Sequence, residues 1–295
     1  MKFEDGNLIL SREKKLNLLE YESRFYQIDY LNESNRRSKG GNSAVFKLID
    51  TNDNSEFAIK FSKYKRSAEN IKANNRFDNE VYALYEAQKN NFPNVVDIAF
   101  DGIHSIRESG DFNFYVMEKA DTDLTNFLKE NPITTSQKLV LCHEIIKGIN
   151  QLHSMKLYHR DIKPDNIFFV GKVWKIGDLG LSTYRGQYPT LDGRNEKIGP
   201  YGWLSPEAMN KVLCPGTPYE ALHDCIIDHF SDIFQLGKLI WFIFNGNVPI
   251  GQIQESDFLP KRKDIFGLIR QMLQYKKTRR GNLDNYQEEF ELLIS

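Results

Sequence analysis

Hydrophobic and polar positions change their period along this chain, and the changes predict its elements. Tyr26, Ile28 and Tyr30 alternate with polar neighbours, which predicts a strand starting at Phe25. The run 56–60 alternates in the same way and ends in Lys60. Over 66–90 the period lengthens to that of a helix, with Ala73, Phe77, Val81, Leu84 and Tyr85 on one face. Strands are predicted at 95–100 and 112–117 around a turn rich in Gly, Ser and Asp. Beyond that point helical spacing dominates. Thr134 and Gln137 form a capping box, opening a helix that carries Leu141, Ile145, Ile149 and Leu152. Two β-rich apolar runs, 167–170 and 173–176, flank a turn at Gly171. The segment from Asp232 is apolar almost all round, as a core helix is, and Asn245-Gly246 ends it. Helical patterns at 264–275 and 284–294 complete the chain. The class is α+β: a strand-rich first part with one main helix, then a mainly helical part. Residues 1–24 are charged and weakly periodic and read as an extension.

Composition narrows the class without naming a function. The chain has 295 residues, enough for one large domain or two small ones. A formal net charge of −1 gives no global reason to expect nucleic-acid or membrane-surface binding. Three scattered cysteines, Cys142, Cys214 and Cys225, suggest neither a disulfide framework nor a metal site. The opening MKFEDGNLIL lacks the basic and apolar regions of a signal peptide, and the longest apolar run, 239–244, is too short to span a bilayer. Cytoplasmic placement is the expectation, with a secreted effector as the open alternative.

The candidate chemistry lies in 158–181, YHRDIKPDNIFFVGKVWKIGDLGL. A hairpin at 167–176 would bring Asp161, Asn166 and Asp178 to one end of a sheet edge. Two carboxylates and an amide oxygen are hard ligands suited to Mg²⁺, which keeps water and substrate phosphates as its other ligands. One or two side chains are enough for the metal, leaving Asp161 to accept a proton. Upstream, Gly40-Gly41-Asn42-Ser43 lies between strand-like runs, where glycines let backbone N–H groups approach phosphates.

His159-Arg160-Asp161-Ile162-Lys163-Pro164-Asp165-Asn166 resembles the catalytic loop of eukaryotic-type protein kinases, and Asp178-Leu179-Gly180 their metal-binding Asp-Phe-Gly. The resemblance covers roughly 25–294. It implies a two-lobed kinase-like fold with an N-lobe at 25–117, a hinge at 118–122 and a C-lobe at 123–295. The C-lobe would contain an activation segment at 178–207 and an insertion at 211–226. It implies ATP and Mg²⁺ as cofactors and a protein as substrate. Asp161 would accept the hydroxyl proton, Lys163 would neutralise the γ-phosphate, and Lys60, paired with Glu80, would hold the α- and β-phosphates. Gly40, Gly41, Asn42, Ser43, Val45, Ala58, Lys60, Met117, Glu118, Ala120 and Phe168 would bind the nucleotide, and Asn166 and Asp178 the metal. Ser38 and Ser43 stand where the family's first and third loop glycines usually stand.

Three further features follow from the resemblance. Ser205-Pro206-Glu207 is similar to the family's Ala-Pro-Glu, and its glutamate would pair with Arg280, or alternatively Arg279. Asp232 would anchor the backbone of the catalytic loop. Ser182, Thr183, Tyr184, Tyr188 and Thr190 are candidate phosphorylation sites whose phosphate Arg160 would receive. Specificity is divided: Lys163 is the serine/threonine choice, whereas Pro200 followed by Trp203 is more like a tyrosine-kinase platform. Dual specificity therefore stays open. So does a pseudokinase scaffold, which the substituted glycines favour. A small-molecule kinase of the aminoglycoside-phosphotransferase type shares the Asp and Asn logic but not Ser-Pro-Glu, Asp232 and the late arginine.

Overall fold

Alternation of apolar residues makes the first 120 residues strand-rich. The strands β1 (Lys2–Glu4) and β2 (Asn7–Ile9) form a two-stranded ribbon. After them come β3 (Leu18–Tyr21), β4 (Arg24–Asp29), β5 (Ser43–Asp50) and β6 (Glu56–Lys65). The helix α1 (Ile71–Lys89) follows, then β7 (Ile98–Ile106) and β8 (Gly110–Glu118). Strands β3 to β8 form one antiparallel sheet in the order β3-β4-β5-β6-β8-β7. The computed structural model describes residues 1–4, 6–31, 42–187, 191–193 and 195–295. These divide into two units, Met1–Lys89 with Val96–Ala120, and Asn90–Val95 with Asp121–Ser295.

The core of the first unit takes one face of the sheet: Ile28, Ala44, Phe46, Leu48, Ile59, Phe61, Phe114 and Val116. Successive side chains of a strand point to opposite faces, and antiparallel partners share a face. Val45 pairs with Lys60, Lys60 with Tyr115, and Ala58 with Met117. Val45, Ala58, Lys60, Tyr115 and Met117 therefore lie together on the other face.

Several boundaries differ from the expected ones. Leu8, Leu10 and Leu19 enter the core, so residues expected as an extension supply apolar mass and an edge strand. Their apolar residues are too sparse for a clear period; pairing in space decides. β7 and β8 meet across a turn of only three residues, 107–109, where a longer one was expected. On α1 the buried positions include Phe77, Glu80, Ala83 and Leu84, whereas Tyr85 reaches outward and donates to Asp101 (2.9 Å).

The second unit is mainly helical. Its first elements are β9 (Thr122–Asp123), α2 (Leu124–Glu130), α3 (Thr135–Ser154) and β10 (Leu157–Tyr158). Next come β11 (Ile167–Val170), β12 (Val173–Ile176) and β13 (Thr183–Tyr184). Four helices close the chain: α4 (Pro206–Leu213), α5 (His229–Asn245), α6 (Lys263–Met272) and α7 (Leu283–Ile294). The Thr134–Gln137 capping box opens α3. Gly148 on α3 lets that helix approach closely, because a Cβ there would meet Ile176 Cγ1 at 2.6 Å and the Asn94 carbonyl at 2.7 Å. α5 begins a turn before Asp232: Asp228 caps it with Ser231 in a capping box, and Gly246, in the left-handed region, ends it. Positions 211–213, expected in an insertion, are the last turn of α4.

Candidate active site

Within the first unit, the strand ending the alternating run 56–60 delivers a buried lysine to a buried glutamate. Lys60 Nζ donates to Glu80 Oε1 at 2.7 Å and to Oε2 at 2.9 Å. The two side chains are 5% and 2% exposed. Tyr115, cross-strand neighbour of Lys60, donates its hydroxyl to Glu80 Oε1 (3.0 Å). Together they tie α1 to β6 and β8. The expected nucleotide residues Val45, Ala58 and Met117 share the Lys60 face of the sheet. Ser43 begins β5, and the exposed Asn42 accepts from the Tyr64 hydroxyl (3.1 Å). Glu118 ends β8 and accepts from the Asp97 N–H (2.8 Å), and Ala120 is the last residue of the unit. Gly40 and Gly41 lie outside the described residues.

Within the second unit, the loop before β11 is suspended from α5. Asp232, fully buried, accepts from the backbone N–H groups of His159 (2.8 Å) and Arg160 (2.7 Å) and contacts His153 Nε2 (2.8 Å). Burial pushes the Asp232 carboxyl up, but these donors more than reverse it and leave it below the ordinary carboxylate range. One turn on, Gln235 accepts from the Ile162 N–H (2.9 Å) and donates to the Arg160 carbonyl (3.1 Å). Arg160 is thereby held at a φ of 66°, a region that side-chain-bearing residues seldom adopt.

Asp161 is the next residue. Its Oδ2 accepts from Lys163 Nζ at 2.7 Å and from Asn166 Nδ2 at 3.0 Å. Its Oδ1 is buried and has no hydrogen-bond partner among the described residues. Burial pushes the Asp161 carboxyl above its ordinary value, with Lys163 partly opposing the shift. The expected hairpin forms from β11 and β12, with Ile167 opposite Ile176. The Gly177 N–H donates to the Asn166 carbonyl (3.0 Å), so Asn166 and Asp178 flank the same end of that hairpin. Asp178 is exposed, with a φ of 55°, and Leu179 is buried. Phe168 is half-buried on β11, opposite Lys175.

The donor set suits Mg²⁺. Asn166 uses its amide N–H₂ on the Asp161 carbonyl and carboxylate, which turns its oxygen away from them, and Asp178 adds one carboxylate. Among the described residues no group of three or more His, Cys, Asp and Glu could hold a metal. One carboxylate and one amide oxygen match an ion that completes its shell with water and phosphates.

Glu207 and Arg280 meet as expected. Arg280 Nη1 and Nη2 reach Glu207 Oε1 (2.7 Å) and Oε2 (2.9 Å), and the Ser231 hydroxyl donates to Oε1 (2.5 Å). Burial pushes the Glu207 carboxyl up, but Arg280 and Ser231 outweigh it and hold the group below its ordinary value.

Arg160, expected to receive a phosphate, has an acidic partner within the chain. Its guanidinium is already engaged by Asp192, through Nη1 (2.5 Å) and Nη2 (3.3 Å). Of the candidate phosphorylation sites, Ser182 and Thr183 are buried, as is the Tyr184 hydroxyl oxygen, while Tyr188 and Thr190 lie outside the described residues. Sequence reading also passed over Tyr115 and Gln235. The spacing of Gln235, three residues after Asp232 on one helix face, could have revealed it.

A model of the protein kinase domain matches residues 37–295, well over half of the chain, and the chain belongs to the eukaryotic-type protein kinase family. It is 28% identical over 213 residues to a Clostridium acetobutylicum protein named "Probable serine/threonine-protein kinase". That match covers 71% of this chain and 29% of the relative. It is 35% identical over 119 residues to the eukaryotic translation initiation factor 2-alpha kinase 1 of Plasmodium falciparum, covering 38% of this chain and 6% of that protein. The chain thus spans less than a third of the length of these curated relatives. Among the described residues no helix is long and apolar enough to cross a membrane.

Proposed function

We propose that this chain is an ATP- and Mg²⁺-dependent protein kinase that phosphorylates serine and threonine hydroxyls of protein substrates. The observation that carries the reading is the Asp161 carboxylate, with one oxygen fixed by Lys163 and Asn166 and the other buried with no partner among the described residues. An unpartnered buried acceptor is costly unless a donor arrives, and a substrate hydroxyl is such a donor. Asp161 orients that hydroxyl and takes its proton. Lys163, beside it, neutralises charge on the phosphoryl group in transfer.

Lys60, fixed by Glu80 and Tyr115, supplies the charge for the α- and β-phosphates, and Val45, Ala58 and Met117 offer an apolar surface to the base. Glu118 and Ala120 contribute the backbone of the hinge, Phe168 a further apolar contact, and residues 40–43 the phosphate loop. Asn166 and Asp178 would hold Mg²⁺, whose charge would offset that of the phosphate oxygens. Within this reading, 25–117 is the N-lobe, 118–122 the hinge, 123–295 the C-lobe and 178–207 the activation segment. The Glu207–Arg280 pair and the Asp232 anchor support a protein substrate over a small molecule.

A tyrosine-directed or dual-specificity reading keeps one observation in its favour. Pro200 leads into a single 3₁₀ turn, Tyr201–Trp203, whose Trp203 ring packs 6.0 Å from that of Phe242 and whose Gly202 carbonyl accepts from Lys238. Transfer of labelled γ-phosphate from Mg²⁺-ATP to a panel of acceptor proteins and small molecules, followed by phosphoamino-acid analysis, separates the readings. Phosphoserine and phosphothreonine are expected. Phosphotyrosine alone would reverse the specificity, and nucleotide binding without any transfer would favour a pseudokinase scaffold.

A further inference from the structure

Arg160 is fixed at every polar group the structure describes. Its N–H donates to Asp232 and its carbonyl accepts from Gln235, which sets the backbone that enters Asp161. Its Nε–H donates to the Leu181 carbonyl (2.7 Å), three residues beyond Asp178. The remaining guanidinium edge takes Asp192 in a two-point contact, and the two side chains are 1% and 3% exposed. Planar, doubly hydrogen-bonded pairing of this kind is the strong form of a charge contact. A second part of the same segment touches Arg160: Gly199 adopts a φ of 91°, and a Cβ there would lie 3.2 Å from the Arg160 carbonyl.

We infer that Asp192 is a positioning residue whose carboxylate, acting through Arg160, holds the loop that bears Asp161 in order without phosphorylation of the segment after Asp178. The inference rests on the reading of Asp161 as proton acceptor. A phosphate arriving at Arg160 would meet a carboxylate already there, and like charges in a buried site repel. Ser182 and Thr183 are in any case only 6% exposed as residues, so a modifying enzyme reaches neither without opening the segment. Asp192 instead places the negative charge in the chain itself.

The test uses the full chain as wild type, Asp192→Ala, Asp192→Asn and Asp192→Glu. Intact mass counts phosphates, and steady-state transfer is measured before and after treatment with a broad-specificity phosphatase. Treated wild type is expected to stay active. Asp192→Ala and Asp192→Asn are expected to lose at least about tenfold in kcat, because Arg160 is left as an uncompensated buried charge. The KM for ATP should stay unchanged, since the nucleotide residues are untouched. Asp192→Glu should recover part of the loss; a thermal unfolding scan identifies any variant that fails to fold. Loss of activity on dephosphorylation would overturn the inference, as would wild-type kcat in Asp192→Ala.

Limited proteolysis of 178–207 reads the same order without activity, so it serves even if no acceptor is ever phosphorylated. Faster cleavage in Asp192→Ala than in wild type supports the inference, and equal cleavage overturns it. Absence of transfer in the wild type, by contrast, counts against the proposed function alone.

Discussion

Lys60–Glu80 in the first unit and Arg280–Glu207 in the second are both buried ion pairs, yet they are built differently. Every N–H of the Arg280 guanidinium has an acceptor: the two Glu207 oxygens and the carbonyls of Gln274, Phe230 and Tyr275. Five donors meet five acceptors in a rigid plane, and nothing is left for an incoming ligand. Lys60 presents one ammonium on a flexible stem, shared between both Glu80 oxygens beside the Tyr115 hydroxyl. A point charge of that kind can redirect a proton toward a phosphate at little geometric cost. The contrast separates scaffold from chemistry: the saturated pair holds α4 to the end of the chain, and the adjustable pair suits an anionic substrate.

The contrast can be broken at either end. Arg280→Ala should cost about 3–5 kcal/mol of unfolding free energy in urea titration, since it strands a buried carboxylate and three carbonyls. Lys60→Met should cost less stability, because Tyr115 still donates to Glu80, but should reduce transfer by about 10²–10³-fold in a steady-state assay. If Lys60→Met destabilises more than Arg280→Ala, the division fails.

Acid sharpens it further. The Glu207 carboxyl is depressed below its ordinary 4.5, so its contribution is fully present above that pH and is lost as pH falls through the depressed folded value. Acid unfolding followed by circular dichroism should show this loss in wild type and not in Glu207→Gln. The Asp161 carboxyl moves the other way: burial raises it above 3.8, so the acid limb of kcat should lie above that pH. Lys163→Met removes the opposing charge and should shift the limb to higher pH. The smallest effect belongs to a feature remote from both pairs, the α3 cap, where Thr134→Ala should cost about 1 kcal/mol in thermal or urea unfolding.

Much of the second unit's site was legible because its chemistry is local. Asp161, Lys163 and Asn166 lie within six residues, and a hairpin of two four-residue strands carries the chain on to Asp178, so spacing alone constrains where they meet. Arg280 and Asp232 were legible only through the family pattern, as neither the 73-residue separation of Arg280 from Glu207 nor the 72-residue one of Asp232 from Arg160 follows from periodicity. Asp192 was not legible at all. It sits in an irregular segment with neither period nor motif, and only tertiary pairing singles it out among the segment's polar residues. The edge strand β3 was missed for a related reason: Leu18 and Leu19 are adjacent rather than alternating, and the strand is fixed by its hydrogen bonds to β4.

In the proposed mechanism Asp161 performs the chemistry while other residues bind the nucleotide. The most direct test is Asp161→Asn, assayed together for Mg²⁺-ATP affinity by calorimetry and for phosphoryl transfer in a single turnover. The side chain keeps its shape and loses the basic oxygen. Affinity close to wild type with transfer reduced by about 10²–10⁴-fold is the predicted result. Transfer at the wild-type rate would contradict the account.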